Sequence, residues 1–561
     1  MYAFYSQRMP VPNNDPADPR REPVNNYLAG SMPNNVFYSS WNNRIDYQAN
    51  ERHRFFLRWL KTHFIEDAQD YTFETETGLM AWNEKRPAAS GAADWTVALR
   101  PRTVLNATVD MNSFLLQNQR LGTRKYKPTD VGLPSYMDAK CAGSCVLPRV
   151  IWPGMTAWSG DMVLSTRVDP GAKGYKKGAR FNATHIRNSH SLRTGVDYRQ
   201  HNRTQLQNGG FTSGNFTFAN SFVRKDGDGF TPAGSLGLVW ATFLVGIPTG
   251  MSVDTNDTYA LVNPYYAWYG QDTWRVTRNL TLTLGLRIEY EQGPRERYNR
   301  ALSYFDPDLT LPVAAAVQAA YARNPLPELP ASQFVIKGGT VYAGKNGAPE
   351  RLWRNELMWL PRLSAAWQLN PRTIVRGGYG LYYDTLNVMN EAANQYGYSR
   401  ATNTVLSTDF GVNWLAGNPK NGVSPLSDPF PVRSDGTRFD VPLRNALGEM
   451  ARAGQGFTYA RYDRSHPRVQ RWRIGVQREI TANMMFEAAY WGQWAGRIAV
   501  TRRLDPLPAK YWATGMARNN AVATEMNRNV PNPFHISNLQ PLRDSNPALY
   551  QHLSRLSPFT S

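Results

Sequence analysis

Residues 268–290 read WYGQDTWRVTRNLTLTLGLRIEY, and the second half of that stretch alternates without a break. Leu280, Leu282, Leu284, Leu286, Ile288 and Tyr290 fall on one side. Thr281, Thr283, Gly285, Arg287 and Glu289 fall on the other. A strand sends successive side chains to opposite faces, so this is one apolar face backed by a polar, charged one. About 9–11 tilted residues cross a bilayer as a β-strand, and the run has that length. A strand of a soluble sandwich with its apolar face inward explains this hairpin taken alone equally well.

Repetition separates the two. Residues 362–384, RLSAAWQLNPRTIVRGGYGLYYD, turn at Asn370-Pro371-Arg372 and return with Thr373, Val375, Gly377, Tyr379, Leu381 and Tyr383 on one face. A third copy turns at Thr481-Ala482-Asn483, after which Met484, Phe486, Ala488 and Tyr490 share a face. A fourth turns at Arg100-Pro101-Arg102; there Leu105, Ala107, Val109 and Met111 alternate with Asn106, Thr108, Asp110 and Asn112. A fifth turns near Asn188-Ser189. These turns are short and polar, as tight hairpins require. The segments between hairpins, 292–357 and 385–468, are far longer. Tight turns at one rim and long loops at the other mark an outer-membrane barrel, whereas a sandwich spaces its turns more evenly. The expected fold is therefore all-β: an antiparallel transmembrane β-barrel portion of roughly 12–16 strands with long extracellular loops. Leu280, Leu282, Leu284, Leu286, Ile288 and Tyr290 are expected to face lipid, and Thr281, Thr283, Arg287 and Glu289 the concave side.

Composition fits. Among 561 residues, 12% are aromatic, with 17 Trp and 29 Tyr, which suits two interfacial girdles. The mean hydropathy of −0.52 offers no membrane helix, but half of every barrel strand faces a wet lumen. The net charge of +19 comes from scattered Lys and Arg rather than one patch. That argues against nucleic acid and for contacts with anionic lipopolysaccharide or a cationic lumen. Cys141 and Cys145, in KCAGSCV, read as a small structural loop disulfide of an oxidising compartment. Free thiols are the alternative; a lone C-x3-C pair is a poor zinc site. Asp226-Gly227-Asp228-Gly229 holds half of a calcium loop without its other ligands, so it reads as a loop tip. His185, His190 and His201 lack ligand spacing. There is no P-loop, no GxSxG and no dinucleotide fingerprint, so no catalytic residues, cofactor or metal is expected.

Taken in order, the segments resemble the barrel domain of the Oar-like TonB-dependent outer-membrane transporters. NNRIDYQANERHRFFLRW (42–59), HSLRTGVDYR (190–199), ATFLVGIPTG (241–250) and YGQDTWRVTRNLTLTLGLRIEYE (269–291) are similar to successive segments of that barrel. So are LPRLSAAWQLNPRTIVRGGYGLYYD (360–384), QRWRIGVQREITANMMFEAAYWGQWAGR (470–497), NVPNPFHISNLQPL (529–542) and LSRLSPFTS (553–561). The resemblance implies residence in the bacterial outer membrane, among its lipid and lipopolysaccharide. It also implies uptake of an unidentified substrate, powered by the inner-membrane TonB complex acting through a plug and TonB box. An adhesion or secretion role on the same barrel is the alternative; a soluble sugar- or nucleic-acid-binding β-protein is the more distant one. Residues 1–33 read as a polar lead-in loop, 34–502 as barrel, and 503–561 as an extracellular loop-like tail. Neither a signal peptide, a plug nor a closing aromatic strand is legible. The chain is thus expected to be an interior fragment of such a barrel.

Overall fold

The computed structural model describes residues 1–8, 11–15, 35–68, 82–120, 126–143, 145–157, 160–164, 171–205, 211–223, 236–384, 393–415 and 417–560. The Asp226–Gly229 tip and most of the 1–33 lead-in lie outside them. Twelve strand positions make the main sheet: β1 (Asn35–Gln48), β2 (His53–Ala68), β3 (Ala88–Arg100), β4 (Thr103–Arg120), β5 (Ala172–Arg187) and β6 (His190–Gln205). They continue with β7 (Tyr259–Arg275), β8 (Leu280–Glu291), β9 (Glu356–Asn370), β10 (Thr373–Tyr383), β11 (Arg468–Thr481) and β12 (Met484–Gly496). With the short strands Trp82–Lys85 and Arg295–Glu296 the sheet counts 14, inside the expected range. Each strand pairs antiparallel with its sequence neighbours, so the sheet is one long meander. β1 and β12 end the path, and among the described residues no ladder joins them.

Register puts all the tight turns at one rim. Thr103 pairs with His185, His190 with Trp274, Leu280 with Trp367, and Thr373 with Arg478. The turns at 101–102, 188–189, 276–279, 371–372 and 482–483 are therefore neighbours, and the 49–52 turn joins them because His53 pairs with Val97. Local chemistry sets the turns. Asn188 adopts φ 52°, which asparagine tolerates, and the Asn370 side chain accepts from the Arg372 amide. The long segments leave the opposite rim.

Those segments fold on one another. Strands 149–157 and 160–164 come from the β4–β5 connection, 215–217 and 250–256 from β6–β7, and 399–404 from β10–β11; together they form a five-stranded sheet. Its core holds Trp152, Phe216, Phe218, Phe243 and Phe430. A second core gathers Leu302, Val317, Tyr342, Leu447 and Met450 from the last two connections with Leu539, Leu542, Leu549, Leu553 and Phe559.

Two expectations change here. The lead-in begins as a helix, Tyr2–Ser6, because Tyr5 is drawn into the first cap core, where its hydroxyl donates to the Pro148 carbonyl at 2.5 Å. The tail after β12 carries the helices Asn520–Met526, Gln540–Ser545 and Pro547–Leu553. The leucines of the last two are apolar enough to fill the second core rather than trail as loop.

The meander register is open to a direct trap. Val109 lies opposite Ala179 across β4 and β5. The pair Val109→Cys and Ala179→Cys is expected to cross-link in folded protein, as shown by non-reducing peptide mapping. Val109→Cys with Ala183→Cys is expected not to, since those residues sit four positions out of register.

Candidate functional site

Over β3 to β8 the polar side is the sheltered one, and its side chains form a bonded belt. Asp94 on β3 accepts from Asn106 Nδ2 at 2.8 Å and Thr108 Oγ1 at 2.6 Å, both on β4. Asn182 on β5 donates to Asn106 Oδ1 at 3.2 Å and accepts from the Tyr269 hydroxyl of β7 at 2.8 Å. That last bond skips a strand. It passes over Gly195 of β6, where a Cβ would stand 2.6 Å from the Tyr269 ring and 2.7 Å from Asn182 Oδ1. Glycine here makes room for a polar bridge, the usual meaning of a strand glycine at a close approach.

Above the bridge the charges are matched. Lys176 and Arg180 of β5 reach Asp110 of β4 at 3.0 and 3.3 Å. Asp197 of β6, 7% exposed, is held bidentately by Arg199 at 3.1 and 2.6 Å and meets Arg287 of β8 at 3.2 Å. Arg287 also donates to Glu289 at 2.6 Å and to the Tyr265 hydroxyl at 3.1 Å. Five donors on a planar fork let one arginine tie three strands. The polar set Thr281, Thr283, Arg287 and Glu289 thus shares its face with this belt. Leu284 and Leu286, on the other face, are 45% and 40% exposed and join none of the buried apolar clusters among the described residues.

The rows of tryptophan were not singled out from the alternation. Ile288 pairs with Trp268 and Trp359, while Leu280 pairs with Trp367 and Leu282 with Trp274. All lie on the leucine face. Trp274 stacks on His190 with ring centroids 5.3 Å apart, and His190 bonds Asp272 at 2.7 Å. Asp272 is a charged exception to the apolar pattern of that face, and it sits near the tight-turn rim.

At the loop rim, His466 is 1% exposed between two carboxylates. Its Nδ1 lies 2.7 Å from Glu356, the first residue of β9, whose carboxylate also accepts from the His466 amide at 2.8 Å and faces Arg497 at 3.1 Å. Its Nε2 lies 3.0 Å from Glu291, the last residue of β8, at ion-pair distance but off hydrogen-bond alignment. One histidine, at the end of the connection into β11, therefore clasps the start and the end of the connection between β8 and β9. Burial alone lowers its pKa, but the two flanking carboxylates, through hydrogen bonding and charge, outweigh burial and hold it above the ordinary histidine value. Sequence reasoning missed His466 because nothing local distinguishes it; Glu291 and Glu356 meet it only through the fold.

The cap carries a polar cavity of about 420 Å³ lined by Asp254, Asn256, Asn394, Gln395, Tyr396, Ser399 and Arg400. Cys141 and Cys145 are bonded in the cap, their Cα atoms 4.8 Å apart, directly after the helix Ser135–Lys140. Among the described residues no group of three or more His, Cys, Asp and Glu is placed to hold a metal, and no helix is long and apolar enough to cross a membrane.

A family model described as "Outer membrane beta barrel domain" matches residues 2–553. No curated protein matches the chain significantly in sequence. Solved structures similar to parts of it include the outer membrane transporter YddB from Escherichia coli, at 11% identity and TM-score 0.42, covering 82% of this chain and 40% of that one. The copper transporter OprC matches at 10% identity and TM-score 0.38, over 82% and 46% of the two chains. The ferric yersiniabactin uptake receptor FyuA from Yersinia pestis matches at 9% identity and TM-score 0.37, over 82% and 45%. The chain thus spans less than half the length of these three structures.

Two outcomes test the site. Asp197→Ala leaves Arg287 and Arg199 without their shared acceptor. It is expected to lower the unfolding free energy by about 3 kcal/mol, the lower end for breaking a buried pair, because Arg199 is part-exposed and Arg287 keeps Glu289; denaturant titration in detergent measures it. For His466, a folded pKa raised above the unfolded value of about 6.5 contributes stability that is full below that value. The contribution is lost as pH rises through the folded pKa. Proteolysis of the 384–467 connection is expected to quicken on going from pH 6 to above the folded pKa, and His466→Gln is expected to flatten that dependence.

Proposed function

The chain belongs to the outer-membrane β-barrel domain family and so resides in the outer membrane, and from that premise we propose that it is the barrel portion of an Oar-like TonB-dependent transporter, engaged in energy-coupled uptake. The observation that carries the membrane part of this reading is the band on the leucine face. Between the row at Leu280 and Trp367 and the row at Ile288, Trp268 and Trp359 run eight residues, about 26 Å along the strand at ~3.3 Å per residue. Tilted by 35–45°, as barrel strands are, that band stands about 20 Å tall, near the height of an outer-membrane apolar belt with an aromatic girdle at each edge. Leu280, Leu282, Leu284, Leu286, Ile288 and Tyr290 are its lipid-facing set. The polar belt from Asp94 to Glu289 is the lumen wall.

In this reading residues 34–502 form the barrel with its outer connections, 1–33 are a lead-in whose first residues pack into the outer cap, and 503–561 are an extracellular tail. The cap, with its cavity at Asp254 to Ala401, is the first surface a substrate meets. Lipopolysaccharide contacts basic residues of the outer surface. The inner-membrane TonB complex supplies the energy through a plug and TonB box, as the resemblance in the serial motifs implies. The Cys141–Cys145 bond serves only to hold its cap loop.

Leu284→Arg is expected to cost about 2–4 kcal/mol of folding free energy if it lies near the midplane, and Thr283→Arg far less. Equal costs, or loss of the gel shift between heated and unheated parent protein, would remove the membrane reading. Transport is tested separately, by in-cell photocrosslinking of the full-length gene product to the periplasmic part of the energy complex. A folded, heat-modifiable protein that never crosslinks would favour adhesion or secretion instead.

A further inference from the structure

The charge matching of β3 to β8 stops at β9. On the same polar face, register aligns Arg362 of β9, Gly380 of β10, Arg471 of β11 and Gln493 of β12 in one row, with Ser364, Gly378, Arg473 and Trp491 in the row beneath. Tyr382, two residues beyond Gly380, lies back over that glycine. A Cβ at Gly380 would stand 2.8 Å from the tyrosine ring, so only glycine admits the ring there. Arg362 and Arg471 flank Gly380, and their guanidinium carbons sit 5.0 and 5.6 Å from the centre of the one tyrosine ring. Arg473 has Glu487 at 2.8 Å. Among the described residues no carboxylate lies within ion-pair distance of Arg362, Arg471 or Arg376, which sits further down β10 on the same face. A cavity of about 690 Å³ opens over these residues, with Gln271, Ser364 and Gln493 adding neutral hydrogen-bonding groups.

Two guanidinium groups share one aromatic platform. A cation over a tyrosine face is held weakly at an exposed site, about 0.5–1 kcal/mol, and two like charges on one ring oppose each other. Lys176, Arg180, Arg199 and Arg287 on this face have neighbouring carboxylates; among the described residues Arg362 and Arg471 have none, so an incoming anion meets two uncompensated charges. Guanidinium forks match pairs of oxyanion oxygens two bonds at a time, which makes them selective for carboxylate and phosphate groups over simple halide ions.

We propose that Arg362, Arg471 and Tyr382, seated on Gly380, form a binding site for a carboxylate- or phosphate-bearing small molecule on the inner wall of the barrel. The proposal deepens the transport reading by naming the ligand class, and it rests on that reading's assignment of the polar face to the lumen. The tyrosine ring keeps both guanidinium groups near one centre before the ligand arrives, which lessens the side-chain freedom lost on binding. Arg473, already paired, and Gln493 border the site.

The probe is benzene-1,3,5-tricarboxylate, titrated calorimetrically into the full chain folded in neutral detergent at low ionic strength. Folding is verified by the heat-dependent gel shift. Saturable binding is expected, weakened by added salt and reduced at least tenfold by Arg362→Gln combined with Arg471→Gln. Arg362→Lys is expected to retain part of it, and Arg372→Gln, in the tight turn, all of it. Tyr382→Leu, which keeps both charges but removes their platform, is expected to weaken binding without changing its salt dependence. Equal affinity in parent and double variant, equal binding of the neutral tricarboxamide, or no binding by heat-modifiable protein would overturn the proposal while leaving the barrel reading intact. A chain that shows no heat-dependent shift would fail the barrel reading first, and this inference with it.

Discussion

A bilayer offers a backbone amide no partner, and that constraint shapes the main sheet from end to end. Each unpaired N–H or C=O in hydrocarbon costs several kcal/mol, so the spanning residues must exchange bonds with neighbouring strands along their full length. The ladders do this: fourteen successive residues pair between β1 and β2, and sixteen between β6 and β7. A meander is the simplest chain path that satisfies it, since each strand finds its partner a short turn away. The short turns, the single tight rim and the exile of every long connection to the other rim all follow.

Once backbone pairing is fixed, the two faces are free to serve different ends. The leucine face needs only apolar bulk bounded by tryptophan. The polar face can spend its side chains on one another, and the pattern of glycine shows where it does. At Gly195 the missing Cβ lets Tyr269 cross a whole strand to Asn182. At Gly380 it lets Tyr382 lie flat between two arginines. A glycine in the middle of a strand weakens it by roughly 0.5–1 kcal/mol relative to alanine. In both cases that cost is offset by a tyrosine held in an orientation a β-carbon would forbid.

The fold of the wall was legible in the sequence because its signal is local. Period-two alternation in 280–290 and polar turns at 370–372 and 481–483 depend only on residues adjacent in the chain, and the hairpins fall there. The cap was not legible. Its five-stranded sheet joins residue 150 to 216, 216 to 251 and 253 to 402, short strands from three connections with no repeating pattern. Tyr5 gives no hint in MYAFYSQR that it packs against Phe243 and bonds Pro148. The tail looked irregular because Pro541 and Pro547 read as breakers, yet each sits in the first turn of a helix, where proline is favoured. The same limit applies to His466, whose meaning lies wholly in two glutamates more than 100 residues away.

The structural difference between wall and cap carries a mechanical consequence. The wall is held by continuous ladders, every strand between β1 and β12 being paired on both sides, so no single side chain decides whether it stands. The cap is held by aromatic cores and by isolated clasps, among them the buried His466 between Glu291 and Glu356. Elements secured by few contacts open at lower free energy than those secured by many. Opening should therefore concentrate where the 292–355 connection leaves and rejoins the strands and the 384–467 connection rejoins them, at the Glu291–His466–Glu356 cluster. The rows that bear the tryptophans and the arginine platform keep their register. A fixed wall beneath a yielding cap lets the outer surface rearrange while the groups on the wall keep their places.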